Sequence, residues 1–211
     1  MHRIDTFGLR KAISGEEFDF TLLSSALSHY AAPRQKISTL MKSGVITRVK
    51  KGLYVFAPQY NQAPVCKEVI ANLIYGPSCI SLEYALAYHG LIPERVETLT
   101  SVTPKRDKGF DTPIGRFTYR YLAMEKYPHG IKQIQIDENH SVLMASPEKA
   151  LCDYVALSEI PPLSGIEEAG KFLTADLRID RKLWPRLDKE ALNLLNRYYR
   201  DKNIACIAEA L

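Results

Sequence analysis

The chain of 211 residues is 46% hydrophobic and 25% charged, a composition typical of globular proteins, and its length suits two domains. It contains no apolar run approaching the ~20 residues of a membrane-spanning helix, and its N-terminal sequence lacks the apolar core of a secretory signal. We therefore expect a soluble, cytoplasmic protein with no membrane association.

The formal net charge of +4 is unevenly distributed along the chain. Residues 1–60 contain nine Lys or Arg and four Asp or Glu, whereas residues 61–211 contain nineteen and twenty. Between Phe20 and Lys67 there is no acidic residue. A surface of one sign attracts a polyanion through electrostatic steering and counterion release. The charge pattern therefore points to nucleic acid as a partner of the N-terminal third.

Two helices are predicted before the most basic segment. Residues 3–13 carry apolar side chains at helical spacing, and Ser14 and Gly15 end this helix. The second helix begins after Asp19, whose carboxylate can cap the free N–H groups of its first turn. Its apolar residues also recur at helical spacing, so both helices can pack on a common core.

A third, basic helix is predicted over Pro33–Ser43. Proline suits the first helical position, because the N–H that it lacks has no partner there, and Gly44 can adopt the left-handed conformation that ends a helix. The apolar stripe of this helix consists of Ile37, Leu40 and Met41. Its opposite face and flanks carry Arg34, Gln35, Lys36, Ser38, Thr39 and Lys42. Such side chains can contact both phosphates and base edges.

A short β-hairpin is predicted directly after this helix. The segments Val45–Val49 and Leu53–Phe56 are rich in β-branched and aromatic residues, as strands are. Lys50, Lys51 and Gly52 separate them, and a loop of this length with a glycine is a hairpin signal. Gly52 can take the positive φ that the turn requires. We expect Lys50 and Lys51 to project from the tip.

Three helices followed by a hairpin are typical of a winged helix-turn-helix, whose third helix enters the major groove of DNA. The predicted DNA-binding residues are Arg34, Gln35, Lys36, Ser38, Thr39, Lys42, Arg48, Lys50, Lys51 and Gly52. The alternative interpretation is a solvated helix followed by an ordinary surface hairpin, since basic clusters are common on protein surfaces.

A polar, proline-bearing segment, Asn61–Pro64, separates this predicted domain (residues 1–60) from a second one (residues 61–211). The second domain is predicted to contain helices at Val65–Ile74, Leu82–His89, from Ser146 onward and at Ala191–Arg200, and strands at Leu99–Thr103, Gly115–Leu122, Ile131–Ile136 and Ser141–Ala145. The predicted fold class is α+β: an N-terminal winged helix-turn-helix and a mixed α/β C-terminal domain with a small antiparallel sheet and terminal helices.

The sequence has no established catalytic or cofactor motif. Neither a P-loop, a G-x-G-x-x-G loop nor an H-E-x-x-H motif is present. The four cysteines are widely spaced, so we expect reduced, mostly buried thiols rather than a zinc site. Ser81 and Ser146 are interpreted as helix caps, and His89 as a residue at a helix end. We therefore expect no enzymatic activity, no cofactor and no metal.

Three segments resemble one known family. ISTLMKSGVITRVKKGLYVF is similar to the N-terminal winged helix of AbiEi-type antitoxins, which are also described as predicted transcriptional regulators of viral defence systems. CISLEYALAYHGLIPE and MASPEKALCDYVAL are similar to two further hallmark helices of that family. The resemblance covers roughly residues 5–160, with the three motifs in the family's order.

The resemblance implies a transcriptional repressor that is the antitoxin of a type IV toxin–antitoxin, or abortive-infection, system in antiviral defence. Members of the family bind inverted repeats upstream of their own operon. They oppose a nucleotidyltransferase-like toxin without forming a stable complex with it. By the same resemblance, the residues that contact DNA are the outward face of Pro33–Ser43 and the hairpin tip, Lys50–Gly52, which would be the tip of the wing. Two alternatives stay open: a stand-alone winged-helix regulator with a ligand- or protein-sensing C-terminal domain, and a nucleic-acid-processing enzyme.

Overall fold

In the computed structural model, which describes residues 6–211, the protein is mixed α+β, as predicted. The first predicted helix, residues 3–13, is observed as Thr6–Ala12, and residues 3–5 lie outside the described residues. The division of the chain between residues 60 and 61 stays a prediction. We refer to residues 6–60 as the N-terminal part and to residues 61–211 as the C-terminal part.

The N-terminal part alternates short helices with the strands of one sheet. Its elements are α1 (Thr6–Ala12), β1 (Glu17–Asp19), α2 (Phe20–Ala26), α3 (Pro33–Lys42), β2 (Ile46–Lys50) and β3 (Leu53–Phe56). The strands form an antiparallel sheet in the order β1-β3-β2. Strand β1 was not predicted, because three residues are too few to show an alternating pattern.

The predicted ends of α2 and α3 are confirmed. Asp19 Oδ1 accepts a hydrogen bond from the backbone N–H of Leu22 at 2.7 Å and thereby caps α2. Gly44 has a φ of +67°. This left-handed residue lets the N–H of Val45 donate to the carbonyl of Leu40 at 2.9 Å, which satisfies a free carbonyl at the end of α3.

The C-terminal part surrounds a second, larger sheet with helices. Its helices are α4 (Lys67–Ile74), α5 (Leu82–Tyr88), α6 (Pro147–Leu157), α7 (Ile166–Lys171), α8 (Lys189–Tyr199) and α9 (Lys202–Ala210). Phe172–Asp176 forms a π-helical turn and Arg181–Arg186 a short 3-10 helix, and Pro58–Tyr60 forms a 3-10 turn at the end of the N-terminal part. None of the helices within residues 6–211 is long and apolar enough to cross a membrane.

The larger sheet corrects the predicted small antiparallel one. Its strands are β4 (Cys79–Ile80), β5 (Leu99–Thr103), β6 (Lys108–Thr112), β7 (Gly115–Tyr121), β8 (Ile131–Gln135) and β9 (Ser141–Ala145), in the order β6-β7-β5-β4-β9-β8. The pairs β5–β7 and β4–β9 are parallel and the others antiparallel, so the sheet is mixed. Two strands were not predicted: β4, which has only two residues, and β6, whose residues are mostly exposed.

The hairpin β2–β3 lies between two hydrophobic clusters. Ile46, Tyr54 and Phe56 pack with the helices of the N-terminal part, whereas Val49 and Leu53 belong to the core of the C-terminal part. Every residue of β3 is buried as a result. Both faces of the hairpin therefore contact protein.

Candidate nucleic-acid interface

The outward face of α3 is polar and open to solvent. Ile37 and Leu40 are buried against the N-terminal core, as the apolar stripe predicts. Arg34, Gln35 and Lys42 are exposed on the other side of the helix. Of these residues none has an acidic partner within the part of the chain that the structure describes. These side chains are therefore available to a ligand.

Three further residues of α3 are more constrained. The Lys36 ammonium lies 4.4 Å from the ring centroid of Tyr30, a cation–π contact that leaves the lysine half-buried. Ser38 is also half-buried, at the flank of the helix. Thr39 is exposed, and its hydroxyl donates to the carbonyl of Gln35 at 3.0 Å. That hydroxyl retains acceptor capacity, and its methyl group is free for apolar contact.

The hairpin tip, Lys50–Gly52, presents Lys51 to solvent, with the exposed Arg48 behind it. Gly52 has a φ of +87°, as expected for this turn, and its carbonyl accepts a hydrogen bond from Phe20 at 2.9 Å. That bond ties the tip to the start of α2. The tip is therefore held in place by the chain itself.

Lys50 does not project from the tip as the sequence analysis expected. Its ammonium donates to the carbonyl of Ile74 at 2.6 Å and lies 5.4 Å from the ring centroid of Phe110. Both partners belong to the C-terminal part, which the sequence could not place next to the hairpin. Lys50 therefore anchors the hairpin, and we separate it from the exposed candidate residues.

Two acidic residues that precede α2, Glu16 and Glu17, are occupied by contacts within the protein, whereas Asp19 is exposed and caps α2. Glu16 is 3% exposed, forms an ion pair with Arg10 at 2.8 Å and accepts the backbone N–H groups of Gln62 and Ala63. Glu17 accepts the backbone N–H of Cys66. Because their charges are compensated inside the protein, they do little to weaken the positive potential of α3 and the tip.

The contact between the two parts includes a titratable group, His140, in the turn between β8 and β9. Its Nδ1 lies 2.7 Å from Asp137 Oδ2, and its Nε2 lies 3.3 Å from Glu17 Oε2. The hydrogen bond to Asp137 raises the pKa of His140 above its ordinary value of 6.5. Burial raises the pKa of Glu17. When it is protonated, the imidazole forms ion pairs that join β1 to the larger sheet.

We expect the stability of the protein to fall as the pH rises above neutral. The folded state binds the His140 proton more tightly than the unfolded state, so its contribution is complete below pH 6.5 and is lost as the pH passes the raised folded pKa. The loss should be about 1 kcal/mol, the scale of a partly exposed charged hydrogen bond. Urea unfolding at pH near 6 and near 8 measures it.

His140→Gln is the matched variant for this experiment, because glutamine cannot become charged. The variant should unfold at nearly the same urea concentration at both pH values. The pKa shift of Glu17 has the same sign, since its raised pKa also favours the folded state at lower pH. A His140→Gln variant with the wild-type pH dependence would contradict the assignment.

A second polar cluster lies in the core of the C-terminal part. Asp153 Oδ2 accepts a hydrogen bond from Ser81 Oγ at 2.6 Å, and Asp153 Oδ1 lies 3.2 Å from Lys149 Nζ. The hydroxyl of Tyr199 contacts both charged groups. Ser81, Lys149 and Asp153 are 0% exposed. The cluster, which we call the buried tetrad, therefore has no access to a ligand.

The buried tetrad corrects one sequence interpretation and adds a residue. The Ser81 side chain does not cap α5 but donates to Asp153, whereas Ser146 does cap α6, by accepting the N–H of Lys149 at 3.2 Å. Ser81, Lys149 and Asp153 lie in the two segments on which the family resemblance rests beyond the wing. Tyr199 was missed, because α8 lies about 50 residues further along the chain and shows only an amphipathic pattern.

Outside the buried tetrad, the described residues bring together no obvious nucleophile and base. His89 contacts the carbonyl of Ala145 at 2.8 Å, and His129 stacks on Tyr198. The cysteines are free thiols, and burial raises the pKa of Cys152, which disfavours its nucleophilic thiolate. Within residues 6–211 no three His, Cys, Asp or Glu side chains form a group that could hold a metal ion.

The candidate site is thus the exposed face of α3 together with Arg48 and Lys51. Its members come from two adjacent elements and are held by the caps, the turn and the Lys50 anchor. Comparisons of the sequence with protein-family models and with curated proteins found no match.

Proposed function

We propose that the N-terminal part is a winged helix-turn-helix that binds double-stranded DNA, with α3 in the major groove and β2–β3 as the wing. The element order, in which two helices and a strand precede a basic helix and a hairpin, supports this proposal. The observation that carries it is the exposed face of α3: Arg34, Gln35, Thr39 and Lys42 are exposed, and none of them has an acidic partner among residues 6–211. Phosphate contacts from the cations would position the helix, and the amide and hydroxyl would read base edges.

We further propose that the protein is a cytoplasmic repressor of its own operon and the antitoxin of a type IV toxin–antitoxin system. The resemblance of the three motifs to AbiEi-type antitoxins supports this part. The operator would contain inverted repeats, and the functional partner would be a nucleotidyltransferase-like toxin that forms no stable complex with the protein. Co-expression with the neighbouring gene product tests it: an antitoxin restores growth, whereas a stand-alone regulator does not.

Substitutions at Gln35 and Thr39 should change which DNA sequence is preferred. A glutamine that contacts a base edge contributes about 1–3 kcal/mol of discrimination at its base pair. Gln35→Ala and Thr39→Ala should therefore relax selectivity at one or two positions of the footprint on the upstream region. Selection from a randomised DNA library followed by a footprint measures the change.

Gln62→Ala is the matched control, since Gln62 is also exposed but lies outside α3. This variant should select the same sequence as the wild type. If Gln35→Ala and Thr39→Ala also select the wild-type sequence, α3 does not read bases. If the wild-type protein shows no footprint on its upstream region, the proposal of self-repression fails.

A further inference from the structure

An open cleft of about 640 Å³ lies on the C-terminal part. It is lined by Tyr75, Pro104, Lys105, Arg106, Asp107 and Tyr121, from the end of α4, the loop between β5 and β6, and the end of β7. We call it the basic cleft. The proposed DNA interface does not include it.

Contacts through Phe110 connect the basic cleft to the hairpin tip. The Lys50 ammonium lies 5.4 Å from the Phe110 ring centroid, and the Lys108 ammonium lies 6.0 Å from it. Phe110 also contacts the ring of Tyr75, at a centroid distance of 6.0 Å. Lys51, next to Lys50, is exposed. The cleft and the tip are therefore neighbours on one surface.

This surface is positively charged. Arg106 and Lys108 are exposed, and neither has an acidic partner among residues 6–211. Lys105 donates to the carbonyl of Gly76 at 2.5 Å, which fixes its ammonium at the rim. Asp107 is the acidic residue of the lining, and Arg120 lies 3.3 Å from its carboxylate. The charge of Asp107 is thereby offset, and the cations face solvent.

An exposed aromatic ring distinguishes the basic cleft from a plain phosphate-binding surface. The Tyr121 side chain is 51% exposed, although it is large and mostly apolar. Its backbone N–H is bound by Asp107 at 2.6 Å, which fixes the end of β7 from which the ring projects. The bases of a duplex are already stacked on one another and gain no stacking contact with such a ring. An unpaired base gains stacking energy from it.

We propose that the basic cleft binds single-stranded nucleic acid. One unpaired base stacks on Tyr121, and the phosphates on either side contact Arg106 and Lys108. Cations beside an aromatic platform are the arrangement that binds single strands with little sequence preference. This site is separate from the face of α3, and it does not depend on the proposed binding of duplex DNA.

Binding of a labelled oligothymidylate of about 12 nucleotides, a length within the range that single-strand sites cover, tests the proposal by fluorescence anisotropy. Tyr121→Ala should weaken binding roughly 5- to 100-fold, the range for losing one stacked base. Tyr121→Phe should bind like the wild type, because phenylalanine keeps the ring. The matched control is Tyr88→Ala, which removes another exposed tyrosine, 42% exposed, outside the cleft.

Further binding measurements distinguish single-stranded nucleic acid from duplex DNA and from a free nucleotide as the ligand. An Arg34→Ala/Lys42→Ala variant should keep its affinity for the oligothymidylate even where it loses duplex DNA, so the two proposals can fail separately. If Tyr121→Ala binds the oligothymidylate like the wild type, the proposal is wrong. It is also wrong if the cleft variants weaken only duplex binding, or if thymidine monophosphate binds as tightly as the oligonucleotide.

Discussion

Alanine at Arg34, Lys42, Arg48 and Lys51 together should reduce the affinity for operator DNA roughly 10²- to 10³-fold near 0.15 M salt. Each phosphate contact releases condensed counterions, so the logarithm of the binding constant falls by about 0.9 per contact for each tenfold rise in salt. Losing four contacts should make this slope shallower by about three to four. Anisotropy titrations at several salt concentrations measure both quantities.

The control is a second quadruple variant with the same loss of charge, built at Lys132, Lys171, Lys182 and Arg197. These four cations are exposed and belong to the C-terminal part. Removing them should leave the slope nearly unchanged, because they make no phosphate contact in the proposed complex. An equal change in both variants would mean that net charge, rather than the face of α3 and the tip, controls binding.

Lys50 is left out of this experiment because it has a structural role. Its ammonium is bound by the carbonyl of Ile74 and lies over Phe110, so its removal would loosen the hairpin as well as remove a charge. A weaker affinity in a Lys50 variant would therefore not show a phosphate contact. Lys51 and Arg48 have no such contacts among the described residues, so a loss of affinity on replacing them reflects lost contacts with DNA.

The features that could be predicted from the sequence depend on neighbours in the chain. The end of α3 at Gly44 and the cap at Asp19 involve residues within five positions of each other. The exposure of Gln35 and Lys42 follows from the helical period alone. For this reason α3 and the turn at Gly52 could be placed before the structure was known.

The features that could not be predicted depend on contacts between distant segments. Lys50 is 24 residues from the carbonyl that it binds, and Ser81 is 72 residues from Asp153. The pattern of β3 showed that the strand was apolar but not that each face would meet a different core. A serine before a helix is usually a cap, and only the tertiary structure shows that the Ser81 hydroxyl donates a hydrogen bond to Asp153 instead.

Lys149→Met should destabilise the protein by about 3–5 kcal/mol, because it leaves the Asp153 carboxylate buried without its counter-charge. Lys149 is 0% exposed, and its ammonium lies 3.2 Å from Asp153 Oδ1 and 3.1 Å from the Tyr199 hydroxyl. The methionine fills a similar volume, so the lost charge dominates the effect. Thermal unfolding should shift down by roughly 10 °C for a chain of this length.

An ion pair of the same spacing on the surface supplies the control. Lys171 lies 2.8 Å from Glu167, four positions earlier, but the two side chains are 69% and 85% exposed. Lys171→Met should therefore change the free energy of unfolding by no more than about 0.5 kcal/mol. The contrast separates the effect of burial from that of losing a helical ion pair.

A second variant tests whether charge is the cause. Lys149→Met/Asp153→Asn removes both charges, and the amide can still accept a hydrogen bond from one of the hydroxyls of Ser81 and Tyr199 through its oxygen and donate to the other through its NH₂. It should be more stable than Lys149→Met, with a coupling energy of about 0.5–3 kcal/mol in the double-mutant cycle. The two single variants, Lys149→Met and Asp153→Asn, each lose some free energy of unfolding. If the double variant loses as much as the sum of these two losses, Lys149 acts by packing rather than by neutralising Asp153. Rescue would show that the tetrad is stable only when its charges balance, since burial raises the pKa of Asp153 and the lysine opposes that shift.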